Sequence, residues 1–107
     1  MDLNQYQIVL VNLDPTVGSE MKKTRPSVVI SPNEMNKYLQ TIVVAPITSS
    51  SKSYPTRVEL QHDKKKGWIV LDQISTVDRQ RIVKILGNLS DKETKKVKDV
   101  LKETYVD

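Results

Sequence analysis

The chain contains no cysteine, which excludes a disulfide framework and any metal site or nucleophile built on a thiolate. Phenylalanine is absent as well, so the core must be assembled from valine, isoleucine and leucine. No apolar run approaches the roughly 20 residues needed to span a bilayer. The opening MDLNQYQIVL also lacks a basic segment followed by a long apolar one. A cytoplasmic location is expected.

What is present has globular proportions. Of 107 residues, 37% are hydrophobic and 28% charged, enough for one domain with one core and too short for a second. The net charge of +4 and pI near 9.3 suit a polyanionic or acidic partner but do not by themselves select one.

Apolar, β-branched stretches separated by turn residues dominate the pattern. YQIVLVNLD (Tyr6 to Asp14) reads as a strand closed by Asp-Pro, and Pro15 to Thr24 as a loop. A second strand runs from Arg25 to Ile30. SPNEMNKY then suggests a short helix, with Ser31 as N-cap, Pro32 in the first helical position and Glu34 completing a capping box. TIVVAPIT is a third strand, in which Pro46 demands an edge or a bulge. SSSKSYP is a polar loop, TRVEL a half-exposed strand, QHDKKKG a charged turn, and WIVLD a further strand. One or two more strands are expected within QISTVDRQRIVKILGNL. At the C-terminus Ser90 and Glu93 form a capping box, and Val97, Val100, Leu101, Thr104 and Tyr105 recur at helical spacing. The lysines of the other helix face read as solvated. The expected fold is mainly β: a small, mostly antiparallel sheet or partly open barrel with a terminal helix packed on it.

If the second and third strands pair antiparallel about the short helix, Ser31 lies near Ile42 and Arg25 falls opposite Thr48. Directly opposed residues share a face, with Cβ atoms roughly 5 Å apart. A guanidinium and a hydroxyl then converge at one end of the sheet, beside both polar loops. The alternative is a surface arginine paired with Glu20 or Asp14 and an ordinary strand-end threonine.

Read together, VNLDPTVGSEMKKTRPSVVISP, APIT and VLDQISTVDRQRI resemble the MazF/PemK family of toxin endoribonucleases, and SKSYP resembles the corresponding loop of some members. The similarity runs from about Ile8 to the C-terminal helix. It implies a small barrel of the kind shared with CcdB, a homodimer, and metal- and cofactor-independent cleavage of single-stranded RNA. The implied products are a 2′,3′-cyclic phosphate, or its opened form, and a 5′-hydroxyl. It also implies neutralisation by an acidic antitoxin. By motif position the family's catalytic arginine and threonine fall on Arg25 and Thr48, the residues that strand pairing brings together.

RNA contacts are expected from Gly18, Ser19, Glu20, Lys22 and Lys23 in the first loop and from Ser49, Lys52 and Tyr54 in the second. Asp72, at the end of the fifth strand, and Gln73 complete the set. Gly18 and Glu20 belong to a loop able to admit or exclude RNA, Lys22 and Lys23 suit phosphates, and Tyr54 suits a base. Two departures from the family are visible. Val70 stands two residues before Asp72, where some members carry an arginine, and NQYQ replaces the usual Arg-Gly opening. The general base is therefore unassigned, with Asp72 a candidate to orient Arg25 or contact RNA. His62 is the only histidine, which excludes a two-histidine mechanism within one chain, and it reads as a solvated turn residue. Trp68 reads as core or interface. The alternative function on this fold is a noncatalytic, CcdB-like inhibitor of DNA gyrase.

Overall fold

The computed structural model describes residues 2–13 and 23–106. Apolar strands with little alternation need a sheet that is covered on both faces, and this is what β1 (Gln7–Asn12), β2 (Thr24–Val29) and β3 (Thr41–Thr48) build. Ile8, Val28 and Ala45 point to one face, where they join Val58, Leu60, Ile69 and Leu71. Val9, Val11, Val29, Ile42 and Val44 point to the other, where they meet Leu3 and Ile82.

A short helix, α1 (Asn33–Tyr38), connects β2 to β3. The expected capping box at its start is absent: Pro32 is the N-cap and no side chain caps the helix. Ser31 instead donates to Asn36 Oδ1 and accepts the Val43 N–H at 3.1 Å. The buried Asn36 and the β3 backbone thus take the hydroxyl that would otherwise have capped the helix.

β3 is followed by β4 (Arg57–His62), β5 (Lys65–Val70), β6 (Ser75–Asp78), β7 (Ile82–Asn88) and α2 (Asp91–Leu101), with a π-helical turn at Lys102–Val106. The strands run in the order β4-β5-β3-β2-β1-β7, with β6 also paired to β3, all antiparallel. The result is a curled half-barrel. Pro46 is neither at a sheet edge nor in a bulge. β6 pairs with Thr41 to Val44 and β5 with Ile47 and Thr48, so the proline sits where β3 changes partner.

α2 closes the first core with Val97 fully buried. Its capping box is as expected, since Ser90 Oγ accepts the Glu93 N–H and Glu93 accepts the Ser90 N–H. The other oxygen of Glu93 accepts the Gln61 N–H at 3.0 Å, which ties the helix to β4. Regular helix ends at Leu101, so Thr104 is exposed, while Tyr105 donates its hydroxyl to the Leu71 carbonyl.

Candidate active site

The register between β2 and β3 is Ser27 with Pro46, Val28 with Ala45 and Val29 with Val44. Continued two places further, it sets Arg25 across from Thr48, the expected juxtaposition. Pro26 follows Arg25 directly and fixes one backbone dihedral at the point where the guanidinium leaves the sheet. Both side chains line a cavity of about 490 Å³. Its apolar wall is Ile8, Ile47, Leu60 and Leu86, and Thr24, Ser49, His62, Asp63, Lys65 and Lys66 lie on its polar rim.

Arg25 is exposed, and among the described residues no carboxylate or carbonyl holds its guanidinium. Asp14 and Glu20, the ion-pair partners considered for it, lie outside the described residues. Thr48 is half-buried, and its Oγ1 donates to the Ser50 carbonyl at 3.1 Å, opening the β3–β4 loop. An arriving anionic oxygen competes with that carbonyl for one proton. A planar fork of N–H groups facing a hydroxyl is a geometry suited to a tetrahedral or pentavalent phosphorus.

His62 is not a solvated turn residue. β4 continues past Leu60 to His62 and β5 starts at Lys65, leaving a turn of Asp63 and Lys64 alone. Both turn residues have positive φ, 55° and 63°, the backbone that a two-residue hairpin requires to match strand twist. A signal for this exists in the sequence: Val58 and Leu60 are buried, and His62 is the next residue of that alternation. His62, Lys65 and Lys66 thereby join the cavity rim.

Other expected site residues lie elsewhere. Of the second loop, only Ser49 reaches the cavity. Asp72 is not a strand residue and does not orient Arg25. It lies in a 3-10 turn after β5, where it accepts from Thr56 Oγ1 at 3.0 Å and from Arg57 Nε at 3.4 Å. Desolvation pushes the Asp72 carboxyl up, but the hydrogen bonds from Thr56, its own backbone and Arg57, with the Arg57 charge, outweigh this and hold it below the usual carboxylate range. Arg57 also donates to Ser51 Oγ at 2.6 Å and lies 4.8 Å from the Tyr54 ring centroid. Tyr54 therefore anchors its loop against Arg57 while one part of its surface stays exposed. Lys52 and Gln73 are exposed away from the cavity lining. Lys23 is exposed, and its carbonyl accepts the Leu13 N–H at 2.9 Å. Gly18, Ser19, Glu20 and Lys22 lie outside the described residues. Trp68 is half-buried, paired with Thr48 on one side and Glu59 on the other.

A family model described as "PemK-like, MazF-like toxin of type II toxin-antitoxin system" matches residues 4–105. The chain belongs to this family. Endoribonuclease MazF of Staphylococcus saprophyticus is 38% identical over 105 residues, covering 92% of this chain and 88% of the relative. The crystal structure of MazF from Deinococcus radiodurans superposes with a TM-score of 0.78 at 26% identity, covering 96% of each chain. A MazE-MazF structure from the same organism gives 0.80 at 26% identity over 96% of this chain and 95% of that one. The place two residues before Asp72 is held by buried Val70 and not by an arginine. Arg57, directly opposite Val70 in the β4–β5 ladder, supplies the guanidinium beside Asp72 instead.

Proposed function

We propose that the chain is an endoribonuclease toxin that cuts single-stranded RNA without a metal ion, through attack of a ribose 2′-hydroxyl on its own 3′-phosphorus. The O2′–P bond forms, the P–O5′ bond breaks, and the products carry 2′,3′-cyclic phosphate and 5′-hydroxyl ends. Arg25 grips the two nonbridging oxygens and Thr48 donates a third hydrogen bond to them as negative charge gathers there. Fixed donors of this kind contribute roughly 3 to 4 kcal/mol each in a shielded site. The observation that carries the reading is that Arg25 and Thr48 open on one cavity, with no described carboxylate neutralising the arginine. The name and 38% identity of the staphylococcal relative support endoribonuclease activity.

Arg25, Lys65 and Lys66 make the rim cationic. This suits both the RNA backbone and an acidic segment of an antitoxin, and a mycobacterial endoribonuclease of the same fold is solved in complex with its cognate antitoxin. The working form is a homodimer in the cytoplasm. Cleavage of long single-stranded RNA in EDTA, with the ends mapped, tests the proposal. Arg25→Ala and Thr48→Ala should each slow cutting by about 10²- to 10³-fold. Cleavage abolished by EDTA, or undiminished in Arg25→Ala, defeats it. Tight binding of DNA gyrase without RNA cutting would point to the CcdB-like alternative.

A further inference from the structure

Arg25 and Thr48 stabilise charge, but neither removes the proton of the attacking hydroxyl. At neutral pH a guanidinium has no base to offer, and a threonine hydroxyl is too weakly basic to take the proton. The charged groups that line the cavity with His62 are Arg25 from β2, Lys65 and Lys66 from β5, of which Lys65 is its cross-strand partner, and Asp63 in its own turn. β1, β3 and β7 contribute Ile8, Ile47, Thr48 and Leu86, and the β3–β4 loop Ser49, none of them titratable near neutrality. Ammonium and guanidinium groups have no lone pair to accept a proton, and a carboxylate is in general a weak base. Histidine is the side chain whose charge changes between pH 5 and 8, where a general base is most effective.

The imidazole also lies against the opposite end of the strand path. β4 and β7 are the two ends of the strand path, and the curl of the sheet brings the end of one against the other. A Cβ built on Gly87 of β7 would stand 2.8 Å from His62 Cε1 and 3.5 Å from Nδ1. Glycine at 87 thus gives the ring a seat that any other residue would fill.

From this placement we infer that His62 is the proton-accepting residue of the site, seated on Gly87 and facing the phosphate held by Arg25 and Thr48. The inference rests on the nuclease reading above. Neutral His62 takes the 2′-hydroxyl proton as O2′ bonds to phosphorus. The electron pair of the breaking P–O5′ bond goes to O5′, which takes a proton from water. The imidazolium then returns its proton to the hydroxide so formed, leaving no net change in protons.

The experiment measures single-turnover cleavage of single-stranded RNA from pH 5 to 9 by the full chain and four variants: His62→Gln, His62→Ala, Gly87→Ala and Arg25→Ala. A positioned general base contributes about 10²- to 10⁴-fold. His62→Gln should therefore lose at least about 100-fold at pH 7.5, with little change in KM, and should lose the ionisation on the acid limb of the profile. Added imidazole should restore the rate of His62→Ala, but not that of Arg25→Ala. Gly87→Ala should keep its melting temperature within a few degrees, because a side-chain tip can swing aside, and still cut at least 10-fold more slowly. The proposal is overturned if His62→Gln stays within about 3-fold of the parent with an unchanged pH profile while Arg25→Ala is inactive. If Arg25→Ala cuts as well as the parent, the nuclease reading fails first and the role of His62 falls with it.

Discussion

Glu93 holds two structural elements with one carboxylate. Oε1 accepts the Ser90 N–H at 2.9 Å in the capping box of α2, and Oε2 accepts the Gln61 N–H of edge strand β4 at 3.0 Å. Alanine at this place removes the cap's second half, about 1 kcal/mol with the lost charge at the helix N-terminus included. It also removes a hydrogen bond to a charged acceptor. Because the freed β4 amide can turn to water, that loss stays near about 1 kcal/mol. A 107-residue chain unfolds with an entropy of roughly 0.2 kcal/mol/K, so about 2 kcal/mol corresponds to about 9 °C in Tm. Glutamine offers one accepting oxygen for two donors and should lose about half as much. Thermal and urea unfolding of Glu93→Ala, Glu93→Gln and the parent measure these differences directly. Losses under about 2 °C for alanine, or equal losses for the two variants, would refute the idea of one carboxylate serving two donors.

Arg25→Lys keeps the charge but not the planar fork, so cleavage should fall about 100-fold while RNA affinity changes little. Replacing Lys22 and Lys23 together should weaken RNA binding and flatten its logarithmic salt slope by about 1.4, the value for two phosphate contacts to a single strand; an unchanged slope removes them from the interface. Asp72 titrates below the ordinary carboxylate range, so its ties to Thr56 and Arg57 stabilise the fold above the unfolded-state pKa and are lost as pH falls through the folded one. The stability difference between Asp72→Asn and the parent should then hold steady at neutral pH and vanish in acid, and a gap that persists at low pH contradicts this account.

The register that sets Arg25 across from Thr48 was legible because the short helix between β2 and β3 makes a nearly symmetric connection, and register follows from counting. The start of α1 was not legible: Ser31 has the right spacing to Glu34, but the competition from Asn36 and Val43 depends on tertiary packing. Asp72 was misplaced for a related reason. Its partner Arg57 is 15 residues away and meets it only through the β4–β5 pairing. His62 needed two steps, carrying the Val58–Leu60 alternation two residues onward and recognising that the ends of the strand path approach each other. The second is invisible to any local pattern, since it arises from sheet curl accumulated over many strands.

Among the described residues no backbone ladder joins β4 to β7; a ring resting on a glycine spans the gap between them. A seam of that kind opens by rotation about side-chain bonds, on a scale of picoseconds to nanoseconds, and not by peeling strands apart. Entry of a bulky polymer into the cleft need not wait for the barrel wall to come undone.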